Sequence, residues 1–380
     1  MAPPIVFDND RDFSTQQDST YPQSSIGTVI TCRYPFVDSH SILILIAFAL
    51  ILILFGIFFA MLKMKKSLRK AMARIEEENL SGKTVLITGA NEGIGAKIAE
   101  LLAYRGCRLV MLVRDVIKAR TVADRIQRKN PTAEIAIYHI DLSSMTSVRV
   151  CVNEILNLEY RIDILINCAS VAFVPGNEPT KSIDGFELHL ATNFYGHFLL
   201  THSLINRLKH TGRKFGCCTK VINVTSMIYR MGKIHQDDMN LEKTYSPLKA
   251  YSQSKLALIM ISREMARQYK SNGINVYSVD PGLSMTESHY QNFYTICRRL
   301  LKLFGCSVGF RSRTKAAKNI IDCLVNRNRS RESGLHYRNR KPQFNLDDHH
   351  EQIFDEKLQQ FLWTQALNVC NLYNDKIDII

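Results

Sequence analysis

The chain is expected to fold as an α/β domain with a doubly wound parallel sheet, carried behind a single N-terminal transmembrane helix. Three features of the 380 residues lead there: an uncharged apolar run near the N-terminus, short β-branched runs alternating with helical patterns after it, and a glycine-rich turn directly behind the first of those runs. With 46% apolar residues the chain can bury the core of such a domain, which excludes disorder of the whole.

Residues 41–62 carry no charge and consist almost wholly of Ile, Leu, Phe and Ala. That length crosses the ~30 Å of a bilayer's hydrocarbon, and a buried core helix would show a polar face. No small-residue cleavage pattern follows, so the run is expected to be a retained anchor rather than a signal peptide. Lys63, Lys65, Lys66, Arg69 and Lys70 follow it, whereas the preceding tail holds Asp8, Asp10, Asp12, Asp18 and Asp38 against Arg11 and Arg33. The positive-inside rule then gives a flexible non-cytosolic tail (1–40), the transmembrane helix (41–62), a basic juxtamembrane helix or linker (63–79) and a cytosolic domain (80–380). The net charge of +14 fits an anionic membrane surface. Nucleic acid is not an expected partner, since none of its binding motifs accompanies the basic clusters. Ten cysteines without C-x-x-C spacing suit a reducing compartment, and no metal site is expected.

Within the domain, residues 84–88, 108–113, 134–139, 162–167, 220–225 and 274–279 read as strands. Strands alternating with helices imply right-handed crossovers and a parallel sheet. Such a sheet binds ligands outside the carboxyl ends of its strands, where strand order reverses.

The first strand runs into Gly89-Ala90-Asn91-Glu92-Gly93-Ile94-Gly95 and then at once into a helix. Glycines at this spacing allow a tight turn, close approach of a pyrophosphate, and helix N–H groups aimed at it; Gly89, Asn91, Gly93, Ile94 and Gly95 therefore read as a dinucleotide cradle. At the end of the second strand, where an acidic residue would hold the ribose of NAD(H), stand Val113 and Arg114. A forked cation suits a 2′-phosphate, so NADP(H) is preferred and NAD(H) is the alternative. Arg114 could equally pair with Asp115, and Glu92 in the loop opposes a phosphate nearby.

Tyr251 and Lys255 lie four apart on a helix, on one face, so phenol and ammonium can share a site. A nearby cation favours the phenolate and brings a tyrosine towards acid–base use. Ser226 ends the fifth strand, where its hydroxyl could bond a substrate carbonyl oxygen. Asn193, in a helical segment, could hold a water connecting Lys255 to solvent.

Together these residues resemble the extended site of the short-chain dehydrogenase/reductase family, a Rossmann-like fold, over nearly all of residues 80–372. The run Asp184-Gly185-Phe186-Glu187-Leu188-His189, the run from Asn193 to Thr201, and Gly232-Lys233-Ile234 between Ser226 and Tyr251 resemble its retinol dehydrogenase-like branch. The resemblance implies that Tyr251 exchanges a proton with the substrate oxygen and that Lys255 also bonds the nicotinamide ribose. It implies further that Asp141 and Leu142 hold the adenine edge, and that Pro281, Gly282 and Thr286 position the carboxamide. Asn167-Cys168-Ala169-Ser170 stands where the family has Asn-Asn-Ala-Gly, with Asn167 and Ala169 carried over as cofactor-side residues. Residues 287–304 correspond to a lid, and 334–363 to a segment that closes the pocket. Dimerisation through the helices carrying Tyr251 and Asn193 is implied by analogy. The expected protein is a single-pass enzyme of the endoplasmic reticulum transferring hydride between NADP(H) and a lipophilic carbonyl or alcohol such as retinal or retinol. A hydroxysteroid or fatty-ketone reductase, and a non-catalytic NADP(H)-binding membrane protein, are the alternatives.

Overall fold

The structure is a computed structural model that describes residues 39–76, 79–172, 174–282, 312–325, 332–343 and 350–372. The chain divides into two compact units, Met1–Lys65 and Lys66–Ile380. In the first, helix α1 (Ser39–Glu76) begins, and it continues unbroken to Glu76, through most of the residues expected to be a helix or linker. Its most apolar stretch is Ile46–Ser67, 22 residues of mean hydropathy 2.6, none of it buried. At the rise of an α-helix this stretch is about 33 Å long. It overlaps the expected 41–62 and reaches further towards the basic cluster.

The second unit is built on an eight-stranded sheet in the order β3-β2-β1-β4-β5-β6-β7-β8. The strands are β1 (Thr84–Thr88), β2 (Arg108–Val113), β3 (Ile135–His139), β4 (Ile164–Asn167), β5 (Thr219–Val224), β6 (Ile274–Asp280), β7 (His336–Arg338) and β8 (Lys341–Gln343). All pair in parallel except β8 with β7. Every residue of β1 is buried, as a central strand covered on both faces requires. Because β1 lies between β2 and β4, the chain crosses back after β3, and the sheet has its switch point between β1 and β4.

Six strands fall within two residues of expectation. At β4 the difference has a polar cause: the Asp163 carboxylate accepts the Thr84 N–H at 2.9 Å and the Arg161 guanidinium at 2.7 Å. This anchors the chain just before the ladder begins. The hairpin β7–β8 was not expected. Its strands are three residues each, too short for a period to show, and Pro342 is tolerated because β8 is the sheet edge.

Helices cover both faces. α2 (Gly93–Ala103), α3 (Val116–Lys129) and α9 (Arg313–Val325) pack on one. α4 (Met145–Leu158), α6 (Gly196–Ser203), α7 (Ile205–Phe215), α8 (Pro247–Tyr269) and α10 (Glu356–Val369) pack on the other. Between β4 and α6 the chain forms the single turn α5 (Leu188–Leu190) and a π-helical turn, Ala191–Tyr195.

α10 completes the helical layer on this second face. It lies along α8 and α6, with Leu362 and Ala366 fully buried and Trp363 at 5.3 Å from the Phe198 ring, 6.0 Å from His202 and 6.1 Å from Tyr269. Part of the surface of the helices expected to meet a second copy is thus packed within the chain, by apolar burial and aromatic edge contacts. None of the described residues of 334–363 lines the cleft described below. The described part of this segment extends the sheet and braces α8. Light scattering of the detergent-solubilised protein is expected to find one chain per particle, and a dimer would show that another surface associates.

Candidate active site

A cleft of about 460 Å³ opens at the carboxyl ends of the strands, across the switch point. Of the residues expected from the sequence, Gly89, Asn91, Gly93, Ile94, Gly95, Arg114, Asp141, Leu142, Ala169, Ser226, Tyr251, Lys255, Pro281 and Gly282 line it. Thr286 and the lid at 287–304 lie outside the described residues.

The glycine loop is shaped for close approach. A Cβ on Gly95 would stand 2.1 Å from the Gly89 carbonyl oxygen, and one on Gly89, at φ +68°, would stand 2.8 Å from the Ala169 Cα. The loop therefore closes on itself and on the β4 turn, leaving a cradle at the N-terminus of α2 that a side chain would fill. Thr88, at the end of β1, fastens the same turn. Its Oγ1 accepts the Cys168 and Ala169 N–H groups at 2.8 and 2.9 Å and lies 3.0 Å from His197 Nε2. With two donors already on Thr88 Oγ1, its own hydrogen goes to His197 Nε2, leaving the Nδ1–H to donate to the Asn193 carbonyl at 3.2 Å. Burial pushes the His197 pKa down to about 3, so the ring is neutral, as this chain of bonds requires. Sequence reasoning gave His197 no role of its own; its place four residues after Asn193 on a helix was the available signal.

Asn167 and Asn193 do not line the cleft, and both side chains are committed elsewhere. Asn167 Nδ2 donates to Thr201 Oγ1 at 2.9 Å and to Asn223 Oδ1 at 2.7 Å, tying β4 to β5 and α6. The strand-tying amide comes from this residue, and the neighbouring Cys168 packs as a thiol whose pKa burial raises to about 12. Asn193 Oδ1 accepts the Val171 N–H at 2.9 Å, while its Nδ2 donates to the Val171 carbonyl at 2.9 Å and to Ser254 Oγ at 3.0 Å. Any water it holds would have to be held by its main-chain carbonyl, since the amide fixes the wall of the cleft.

Just beyond the second strand, Arg114 has company. Lys118, which sequence reasoning missed, lines the cleft beside Arg114, with Nζ 3.8 Å from the Glu92 carboxylate and 4.0 Å from Asp115. Asp115 caps α3 by accepting the Lys118 N–H at 2.9 Å, so it serves that helix and Lys118 rather than Arg114. Lys118 also offsets the charge of Glu92 that opposed a phosphate here. Its position one helical turn beyond Arg114 is visible in the sequence, but its pairing with Glu92 is not.

Tyr251 and Lys255 sit on α8, almost wholly buried, with Lys255 Nζ 5.8 Å from the Tyr251 ring centroid and donating to the Val224 carbonyl at 3.2 Å. Burial lowers the Lys255 pKa to about 8, so at neutral pH the site still holds a cation beside the phenol. An unfolded lysine titrates near ~10.4, so the unfolded chain binds the proton more tightly and stability rises with pH between about 8 and ~10.4. Below that window the buried cation costs about 3 kcal/mol. Urea titrations of the cofactor-free protein are therefore expected to show Lys255→Met more stable than wild type at pH 7 by up to that amount, with the alkaline rise abolished.

Beyond Tyr251, Pro281 and Gly282 follow β6. Asp280 accepts the Gly282 N–H at 2.8 Å and pairs with Arg338 of β7 at 3.6 Å, while Asn319 of α9 donates to the Pro281 carbonyl at 3.3 Å. The unexpected hairpin thus fixes the loop expected to face a nicotinamide.

A parallel sheet with a glycine cradle at its switch point and a Tyr–Lys pair at the cradle's open end defines a nicotinamide-dependent oxidoreductase acting on alcohols or carbonyls. The chain belongs to the short chain dehydrogenase family, whose model matches residues 83–294. It is similar to mouse retinol dehydrogenase 12, with 36% identity over 246 residues, 65% of this chain and 74% of that one. With human retinol dehydrogenase 11 it shares 39% over 208 residues, 55% of this chain and 63% of the relative, just under two thirds of the relative's length. Among solved structures, an uncharacterised protein of Mycobacterium paratuberculosis superposes with a TM-score of 0.59 at 26% identity, covering 77% of this chain and 95% of that one. The NADP complex of Pseudomonas aeruginosa RhlG superposes with a TM-score of 0.54 at 23% identity, covering 68% and 94%, a likeness of fold.

Proposed function

We propose that the chain is a membrane-anchored, NADP(H)-preferring oxidoreductase for retinal or a similar lipophilic carbonyl, acting from the cytosolic face of the endoplasmic reticulum. The observation that carries this reading is the Tyr251–Lys255 pair lining one cleft with the glycine cradle and with two cations at the second strand. The names of the relatives favour retinoids as the substrate class, and the apolar stretch of α1 followed by basic residues supports a single span with residues 1–40 on the other side.

The glycine cradle and Lys255 would hold a nicotinamide cofactor, which would supply hydride to the carbonyl carbon or accept it in the reverse direction. Tyr251 donates its phenolic proton to the oxygen as charge builds there. Lys255 stabilises the phenolate left behind. The Ser226 hydroxyl, which accepts the Ile228 N–H at 3.5 Å through its oxygen, keeps its hydrogen to donate to the substrate oxygen. Asp141, whose Oδ1 is held by the Ser143 N–H at 2.9 Å and hydroxyl at 2.6 Å, presents a fixed edge for adenine.

Oxidation of NADPH and NADH by the detergent-solubilised protein with all-trans-retinal tests the reading, and turnover preferring NADPH is the expected result. Arg114→Ala is expected to lower kcat/KM for NADPH about 10–100-fold, the equivalent of one or two charge-assisted hydrogen bonds, with NADH little affected. Equal losses with both cofactors would remove Arg114 as a 2′-phosphate ligand.

A further inference from the structure

Behind Tyr251 lies a buried carboxylate–imidazole pair that the site as described does not use. Glu187 and His189 are 1% and 0% exposed. Glu187 Oε1 is 2.6 Å from His189 Nδ1 and accepts the His189 N–H at 3.0 Å, and Oε2 accepts the Leu190 N–H at 2.9 Å. On its far side, His189 Nε2 accepts the Val174 N–H at 3.3 Å. An acceptor at Nε2 places the ring proton on Nδ1, donated to Glu187, so one neutral tautomer satisfies every bond. The ring stands edge-on to Tyr251, centroids 6.1 Å apart at 63°.

The partners of this ring matter. Val171 and Ala172 line the cleft, and Val171 is held at both its N–H and its carbonyl by Asn193. Val174, three residues on, is held by His189. Two side chains from one helical turn therefore pin the cleft wall after β4, and one of them also meets the phenol ring. A carboxylate and an imidazole removed from water give little stability of their own, because desolvation offsets their attraction, so placement is the effect such a pair can deliver.

We infer that Glu187 and His189 form a positioning pair for proton transfer, which sets the orientation of the Tyr251 ring and the place of the cleft wall at Val171, Ala172 and Val174. The inference rests on Tyr251 being the proton-transfer group. A misplacement of about 1 Å in a reacting group can lower a rate ~10²-fold. His189→Leu removes both polar contacts and the aromatic edge. His189→Gln keeps an acceptor for Val174 and a donor for Glu187.

The test uses the full chain in detergent with NADPH and all-trans-retinal, together with hydrogen–deuterium exchange at the Val174 amide, which needs no substrate. His189→Leu is expected to speed exchange at Val174 and lower kcat about 10–100-fold while NADPH binding is unchanged, and His189→Gln to restore most of both. Should His189→Leu not fold, Glu187→Gln supplies the same comparison with a smaller loss. Wild-type exchange or wild-type kcat in the folded variants overturns the inference, as does NADPH affinity falling in step with activity, which marks a merely structural role. If Tyr251→Phe turns over like wild type, the proton-transfer reading itself fails and the positioning role falls with it. A dead Tyr251→Phe beside normal His189 variants sinks the positioning role alone.

Discussion

Tyr251→Phe is expected to lower turnover by about 10²–10⁴-fold, the range over which a positioned acid–base group contributes, while NADP(H) still binds. The phenylalanine keeps the ring that packs against His189 and removes only the oxygen that carries the proton. Binding measured by quenching of intrinsic fluorescence separates the two effects. Loss of binding together with turnover would mean that the hydroxyl shapes the cleft rather than moving a proton, and full turnover would place the acid elsewhere.

Gly95→Ala is expected to weaken cofactor binding about 10–100-fold, because an added methyl in a closed backbone contact costs about 1–3 kcal/mol of displacement. The methyl would sit 2.1 Å from the Gly89 carbonyl oxygen, which is backbone and cannot swing aside. Relief requires α2 to retreat from the loop, and the N–H groups of its first turn retreat with it. Because α2 also packs into the core through Ile98 and Leu102, thermal unfolding should fall along with affinity. Unchanged NADPH affinity in the folded variant would show that the cradle is not where the pyrophosphate rests.

Much of this site can be read from one sequence because its parts are local. Gly89 to Gly95 adjoin a strand and open a helix within seven residues, and Tyr251 and Lys255 share a helix face at a spacing of four. The central strands β1, β2 and β4 are legible for the same reason, since a run buried on both faces is nearly continuously apolar whatever surrounds it. Lys118 stands in the sequence as an ordinary polar residue, and His197, Glu187 and His189 belong to runs that carry the family resemblance without pointing to a chemical role. Their roles depend on partners such as Thr88, Glu92 and Val174, and most of those lie far along the chain.

Asn167 shows the boundary between the two kinds of information. By motif it belongs with the cofactor, yet its amide is bonded to Asn223 and Thr201, and only the pairing of β4 with β5 brings those groups within reach. The C-terminal segment is similar: β7 is too short to carry a period, and Arg338 finds Asp280 only because β7 adds to the edge of β6. Composition and spacings of a few residues determine the apolar N-terminal helix, the alternating α/β order, the glycine turn and the Tyr–Lys pair. The tertiary structure decided which amides face the cleft, which cation offsets Glu92, and that α10 packs on α8. Those outcomes turn on distances between residues far apart in the chain, which periodicity does not encode.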